Sequence, residues 1–368
     1  MNFPLVVARV DLTAAVSWCK LAPVAPAGIR AVGSADGKPV PFQFVPDAEF
    51  NDTKHASGTV IVRLPGAGDA LVRLKLDAAG PTEDKPFDGT VTTMAALVGL
   101  APNRTGGFPS PITFPGTGKR FEAVRWADRV HHRKLGSFNL AADTEAKVRR
   151  VAAGPLATVV RVRGRYLHGG KWPESRPEAV YDWHYFHDRP LVYVTAAVRQ
   201  AKPFTWNEVH FLEITTPGKD FLHWAAGEPI KQGAFTGTVK GFSFPNWGAL
   251  VEGRDAIGMF RCGQALFYDH IKGGATYLQA HGDAAWRDWP EVRLARSAWL
   301  WIGSGDEPAK AVQAASAAAA ATDAHVGVLV DKVHAELEAA RKRAASLEGQ
   351  ARAKARLALS AAEQLTAA

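Results

Sequence analysis

Glu208 and His210 stand two residues apart in a strand-like run, TWNEVHFLEITT. Strand side chains alternate, so the carboxylate and the imidazole share a face. Such neighbours tune each other's proton affinity, and the pair suits proton abstraction. Trp206 opens the run on the same side, with Asn207 beside it. Upstream, YDWHYFH puts Tyr181, Trp183, Tyr185 and His187 on one face and Asp182, His184 and Phe186 on the other. Rings interleaved with titrating groups are what a sugar-binding surface uses: flat apolar faces for pyranose C–H groups and polar tips for hydroxyls. A second reading of the same strands is a packed sheet whose histidines are satisfied structurally, although core strands seldom need so many polar partners.

The chemistry these residues predict is β-elimination from a uronic acid. His210 is the expected base, Glu208 orients it, and Tyr185 donates a proton to the leaving oxygen. Asn207 and Arg133 hold the substrate carboxylate. Trp183, Trp206, Trp247, His184 and His187 supply the remaining binding surface. Paired-carboxylate hydrolysis is the competing chemistry; Asp182, Glu208 and Glu213 are available for it, but spacing singles out no pair. His184 and His187 diverge on a strand, as do the adjacent His131 and His132, and no helical His-Glu or Cys-x-x-Cys motif accompanies them, so no metal site is expected. No cofactor is expected either. No G-x-S-x-G occurs, and the GTGK at 116–119 lacks the upstream glycine spacing of a phosphate loop.

These residues need strands to position them, and the chain supplies them. It has 368 residues, 47% hydrophobic and 22% charged, which is ordinary for globular domains and enough for a sizeable core. The fold class expected is mostly β. Residues 1–80 hold short β-rich runs separated by Gly, Pro and Asp and read as a small β-barrel or sandwich. The turn Ser34-Ala35-Asp36-Gly37-Lys38 predicts a hairpin between the runs at 29–32 and 40–45. Residues 81–120 read as a linker and a long loop. Residues 121–305 are strand after strand and hold ten of the eleven tryptophans, which predicts a large antiparallel sandwich. From 306 to 368 alanine, Glu, Lys and Arg dominate, predicting a helical segment. Its stripe from Val326 through Leu337 to Ala351 would give a helix of roughly 65 Å over 323–366. That stripe must bury against the sandwich, a second copy, or a further C-terminal domain.

The net charge is +8. Basic residues cluster at 125–134 and 147–165, so polyanions are attracted. No nucleic-acid motif accompanies them; the expected partner is an acidic polysaccharide or oligosaccharide. No apolar run approaches membrane-spanning length. The N-terminus reads as a first strand rather than a signal peptide; the protein is cytosolic, or it is secreted or periplasmic and a signal was removed. Cys19 and Cys262 either pair or remain two buried thiols.

VRRVAAGPLATVVRVRGRY (148–166) followed by AVYDWHYFHDRPLVYVTAAV (179–198) resembles the central sandwich of exo-rhamnogalacturonan-lyase-like proteins, and GIRAVGSADGKPVPFQFVPD (28–47) is similar to the opening hairpins of their small N-terminal barrel. The resemblance implies a galactose-mutarotase-like supersandwich and a carbohydrate role, with lyase activity on a uronate-containing polymer. It transfers no catalytic residue, and the alanine-rich tail departs from it.

Overall fold

The computed structural model describes residues 5–13, 29–33, 39–50, 56–64, 72–76, 85–87, 89–100, 105–238, 240–281, 288–320 and a few positions between 339 and 346. The chain divides into two compact units, one of residues 1–83, 154–156 and 322–368, the other of residues 84–153 and 157–321.

The first unit contributes β1 (Leu5–Asp11), β2 (Ile29–Gly33), β3 (Phe42–Pro46), β4 (Ser57–Arg63) and β5 (Val72–Leu76). Strands β1, β4 and β3 form one antiparallel sheet, and β2 pairs with β5. The expected hairpin partners β2 and β3 therefore pair elsewhere, and no barrel closes among the described residues. Val10, Leu12, Phe44, Val60 and Val62 form the small core.

The second unit is built almost wholly of strands: β6 (Lys85–Pro86), β7 (Gly89–Thr92), β8 (Leu97–Leu100), β9 (Pro109–Phe114), β10 (Lys119–Phe121), β11 (Arg125–Trp126), β12 (Arg129–His132), β13 (Gly136–Asn139), β14 (Lys147–Ala153), β15 (Ala157–Arg165), β16 (Glu178–Phe186), β17 (Leu191–Arg199), β18 (Glu208–Val209), β19 (Phe211–Pro217), β20 (His223–Ala226), β21 (Lys231–Ala234), β22 (Gly241–Glu252), β23 (Asp255–His270), β24 (Ala275–His281) and β25 (Arg293–Ser304). One helix, α1 (Pro308–Ala320), follows. The predicted longer helix falls mostly outside the described residues.

Strand β23 organises this unit. Its first half, Asp255–Phe260, pairs with β25, leading on through β17, β16, β15 and β14 to β6; its second half, Gln264–His270, pairs with β24, leading to β19 and β11. Between the halves the chain turns through Arg261 (φ 50°) and Gly263 (φ 79°), and β22, paired with β23 on both sides of the turn, breaks register at Asn246 (φ 72°). The two branches face each other across one core. Trp126 of β11 meets Trp183 of β16 at 5.1 Å, and Tyr181 meets Phe211 of β19 at 5.8 Å.

The alternating pattern of the central strands explains this packing. Val160, Trp183 and Val194 are direct cross-strand neighbours, as are Val162, Tyr181 and Ala196, and all six are buried. Burying each such large side chain contributes about 1.5–3 kcal/mol. Helix α1 lies on the other side of β25, β22 and β23, where Val312 packs among Trp247, Ala249, Phe260 and Trp301. Gly258 permits that approach: a Cβ there would lie 2.5 Å from Val312 Cγ1.

Candidate functional site

Of the expected catalytic residues, His210 and Glu208 meet, and Glu213 joins them through an irregularity that a regular strand would lack. On ordinary pleated backbone, positions 210 and 213 face opposite sides. Here the register of β19 against β24 slips between Phe211 and Glu213, with Leu212 at φ 50°. The bulge turns His210 and Glu213 to one side. Asp128, without exposed surface, holds it in place. Its carboxylate accepts the backbone N–H of Leu212 at 2.8 Å and of Glu213 at 2.9 Å, and the Tyr181 hydroxyl at 2.5 Å. Burial pushes the Asp128 carboxyl up to about 6, against the pull of those donors.

His210 is 1% exposed. Its Nδ1 shares a hydrogen bond with Glu213 Oε2 at 2.5 Å and its Nε2 one with Glu208 Oε2 at 2.9 Å. The Gln279 amide stands 2.7 Å from Nδ1. Arg129 Nη1 donates to the other oxygen of Glu213 at 2.7 Å. Burial opposes charge on the imidazole, but the two carboxylates outweigh it and raise its proton affinity above the ordinary value. Glu213 is pushed up by burial, yet His210 and Arg129 hold it below the usual carboxylate range. Glu208 is lowered first by its bond to His210. The arrangement is an imidazole held between two carboxylates, which favour its protonated form. A base needs a bare ring nitrogen, and His210 has none in this geometry.

The other expected residues do not join this cluster. Trp183, Tyr185, Trp206 and Trp247 have no exposed surface, so none of the four can stack on a sugar or reach a leaving oxygen. Strand alternation separates two faces but does not say which one the opposite layer covers, and here the ring-bearing face points inward. Trp247 belongs to the cluster beneath α1. His184 is buried, donates Nδ1–H to the Tyr193 carbonyl at 3.1 Å, and is held neutral by burial. His187 is exposed and shares a 3.1 Å hydrogen bond with the Thr158 hydroxyl. Asn207 ties loops together, donating to Asp288 at 2.9 Å and accepting the Arg133 backbone N–H at 2.9 Å. Arg133 itself is exposed in the turn between β12 and β13.

A cavity of about 650 Å³ opens instead over the outer side of β11, β19, β24 and β23, within the range of small-ligand sites. His210 and Glu213 form part of its lining, with Gln279, Arg129, Tyr268, Tyr277, His270 and Arg125. Arg125, Thr215, Tyr277 and Tyr268 form one cross-strand row, each paired directly with the next. Glu213 and Gln279 are paired one step along. The Tyr268 and Tyr277 rings meet edge to face at 6.3 Å, making an L-shaped apolar corner. The Tyr277 phenol is pushed up by burial and stays protonated. Arg125 stands in the basic run at 125–134, but Tyr268, His270 and Tyr277 are not among the residues expected from the sequence. Their signal was the two-residue spacing of Tyr268 with His270, Tyr277 with Gln279, and Glu213 with Thr215, which marks the polar face of adjacent strands. Cys262 is a buried thiol pushed up to about 12 by burial; Cys19 lies outside the described residues.

No family model and no curated protein matches the chain. Solved structures do resemble it. An α-mannosidase from Enterococcus faecalis V583 aligns over 86% of this chain and 44% of its own, at 10% identity and a TM-score of 0.50. A glycosyl hydrolase family 38 protein from Enterococcus faecalis aligns over 89% and 46%, at 10% identity and a TM-score of 0.51. A galactose mutarotase-like protein from Lactobacillus casei aligns over 60% and 100%, at 8% identity and a TM-score of 0.38. The chain spans less than half the length of the first two. The likeness is one of fold: a large antiparallel β-domain of the kind found in carbohydrate-active enzymes. The likeness to the first two agrees with the mostly β fold expected, and does not bear out the name of the exo-rhamnogalacturonan-lyase-like family.

Proposed function

We propose that the protein is the β-domain of a carbohydrate-active protein and that it binds an acidic saccharide in the cavity over β11, β19, β24 and β23. The observation that carries this reading is the row from Arg125 to Tyr268. Arg125 is exposed on the cavity wall with no carboxylate partner among the described residues, whereas Arg129 and His210 are already neutralised by Glu213 and Glu208. The tyrosine corner offers apolar surface to a sugar ring, and Arg125 offers a fork to a carboxylate. Calorimetric titration with short oligouronates and size-matched neutral oligosaccharides tests it. Arg125→Ala and Tyr277→Ala are each expected to weaken oligouronate binding at least about tenfold, or 1.4 kcal/mol. Unchanged affinity in both variants would remove the cavity from consideration.

A non-catalytic role within a larger glycoside hydrolase fits two observations: the engaged nitrogens of His210, and the chain's span of less than half the α-mannosidase it resembles. The second reading is β-elimination from a uronic-acid polymer. Arg125 would neutralise the carboxylate, and Tyr277 would protonate the leaving oxygen. His270, whose ring lies 6.4 Å from that of Tyr277 in the same cavity, would take the proton that the buried His210 cannot. Absence of unsaturated-uronate absorbance across pectic, alginate and glycosaminoglycan polymers would sink the elimination.

A further inference from the structure

The side of β14, β15, β16, β17 and β25 that faces away from the core is half covered and half open. Along β25 the outward residues are Arg293, Ala295, Ser297, Trp299 and Trp301 in alternation, and the last two lie in the cluster beneath α1. The open half is basic. Its register fixes two cross-strand rows, because directly paired residues share a face. One row runs Lys147, Arg163, Val180, Ala197, Ala295; the next runs Arg165, Glu178, Arg199, Arg293.

Lys147, Arg163 and Arg293 are exposed. Lys147 and Arg293 have no carboxylate partner among the described residues, and Arg163 meets Glu178 only at 3.9 Å. Arg161 and Arg165, by contrast, are neutralised, the first by Asp182 at 2.7 Å and the second by Asp143 and Glu145, each at 2.7 Å, and add no net charge. Ala197, Ala295 and Ser297 are exposed between the cations, so the floor is shallow and small-sided. Lys147 and Arg293 stand on strands four steps apart, about 19 Å at the usual spacing.

We propose that this open face is a second binding surface, separate from the cavity, along which an acidic polysaccharide lies across the strands. A polymer with regularly spaced carboxylates matches cations set at intervals over a flat floor, and small side chains let its ring edges approach. Single-stranded nucleic acid needs successive rings for its bases. The open half of these strands carries none, and one ring stands at the margin: Trp172, 37% exposed, with Arg165 and Arg176 about 6 Å from its centre. Duplex readout needs an element that enters a groove, and a flat sheet supplies none.

The test uses the full chain with alginate, dextran and single-stranded DNA, comparing the wild type with Lys147→Ala/Arg163→Ala/Arg293→Ala. Wild-type retention of alginate is expected to fall with salt. The triple variant should bind alginate at least tenfold more weakly and with a flatter salt dependence. Its thermal midpoint and its cavity affinity for short oligouronates should be unchanged, because the three side chains are exposed and lie outside the cavity lining. Unchanged alginate affinity in the triple variant overturns the proposal. Dextran retained as well as alginate, or DNA bound as tightly as alginate at equal charge, does so too. Complete loss of alginate binding in Arg125→Ala would place the polymer in the cavity alone, leaving the cavity reading intact and this one refuted.

Discussion

At His210 two carboxylates outweigh burial and raise the proton affinity of the ring, and that has a consequence for stability. Its folded proton affinity lies above the ordinary 6.5. Its contribution is therefore complete below about pH 6.5 and is lost as pH rises through the raised value. Glu208 and Glu213 are lowered from 4.5; their contribution is present above that pH and is lost as pH falls through their folded values. The trio supports folding best between the two limits. The wild-type thermal midpoint is expected to decline from pH 6.5 to 8.5, and His210→Gln is expected to start lower and stay flat over that range. Parallel declines in the two proteins would contradict the charged-imidazole reading. Asp128 governs the same cluster from behind. Asp128→Ala leaves two backbone N–H groups and a tyrosine hydroxyl buried without their acceptor, a loss of about 2–4 kcal/mol in urea unfolding. The pairing of Glu208 with His210 was legible in the sequence, because it follows from a two-residue spacing. Glu213 was not legible as their partner, because the bulge that brings it round depends on Asp128, a contact 85 residues distant along the chain.

At the scale of elements, the strand-rich middle and the small β-rich start were readable from alternation and turn residues. The turn expected at 34–38 lies outside the described residues, and the strands beside it, β2 and β3, pair with β5 and β4. Turn chemistry fixes a local reversal, but pairing is decided by which strand buries the better face. The position of α1 was hidden for a similar reason. Its alanines pointed to a helix, yet its seat depends on Gly258 being bare beneath Val312. Gly258→Ala is expected to cost about 1–3 kcal/mol through overpacking, and Val312→Ala in the same chain should recover part of that loss. Equal stability of Gly258→Ala and wild type in thermal unfolding would show that the helix does not sit tightly there.

At the scale of the whole molecule, the basic excess reads differently on different surfaces. Around His210 the cations are matched by Glu208 and Glu213, whereas on the outer side of β14 and β25 Lys147 and Arg293 have no carboxylate partner among the described residues. No helix among the described residues is long and apolar enough to cross a membrane. One feature of the architecture links distant parts of the second unit. Strand β23 seats α1 along its first half, where Gly258 and Phe260 lie, and carries Leu266, Tyr268 and His270 into the cavity along its second. The helix contributes no residue to the cavity lining, yet it braces the far end of the beam on which two of its rings are mounted. Loosening that anchorage would let the tyrosine corner splay, so the proposed saccharide grip can fail with every contacting side chain still in place.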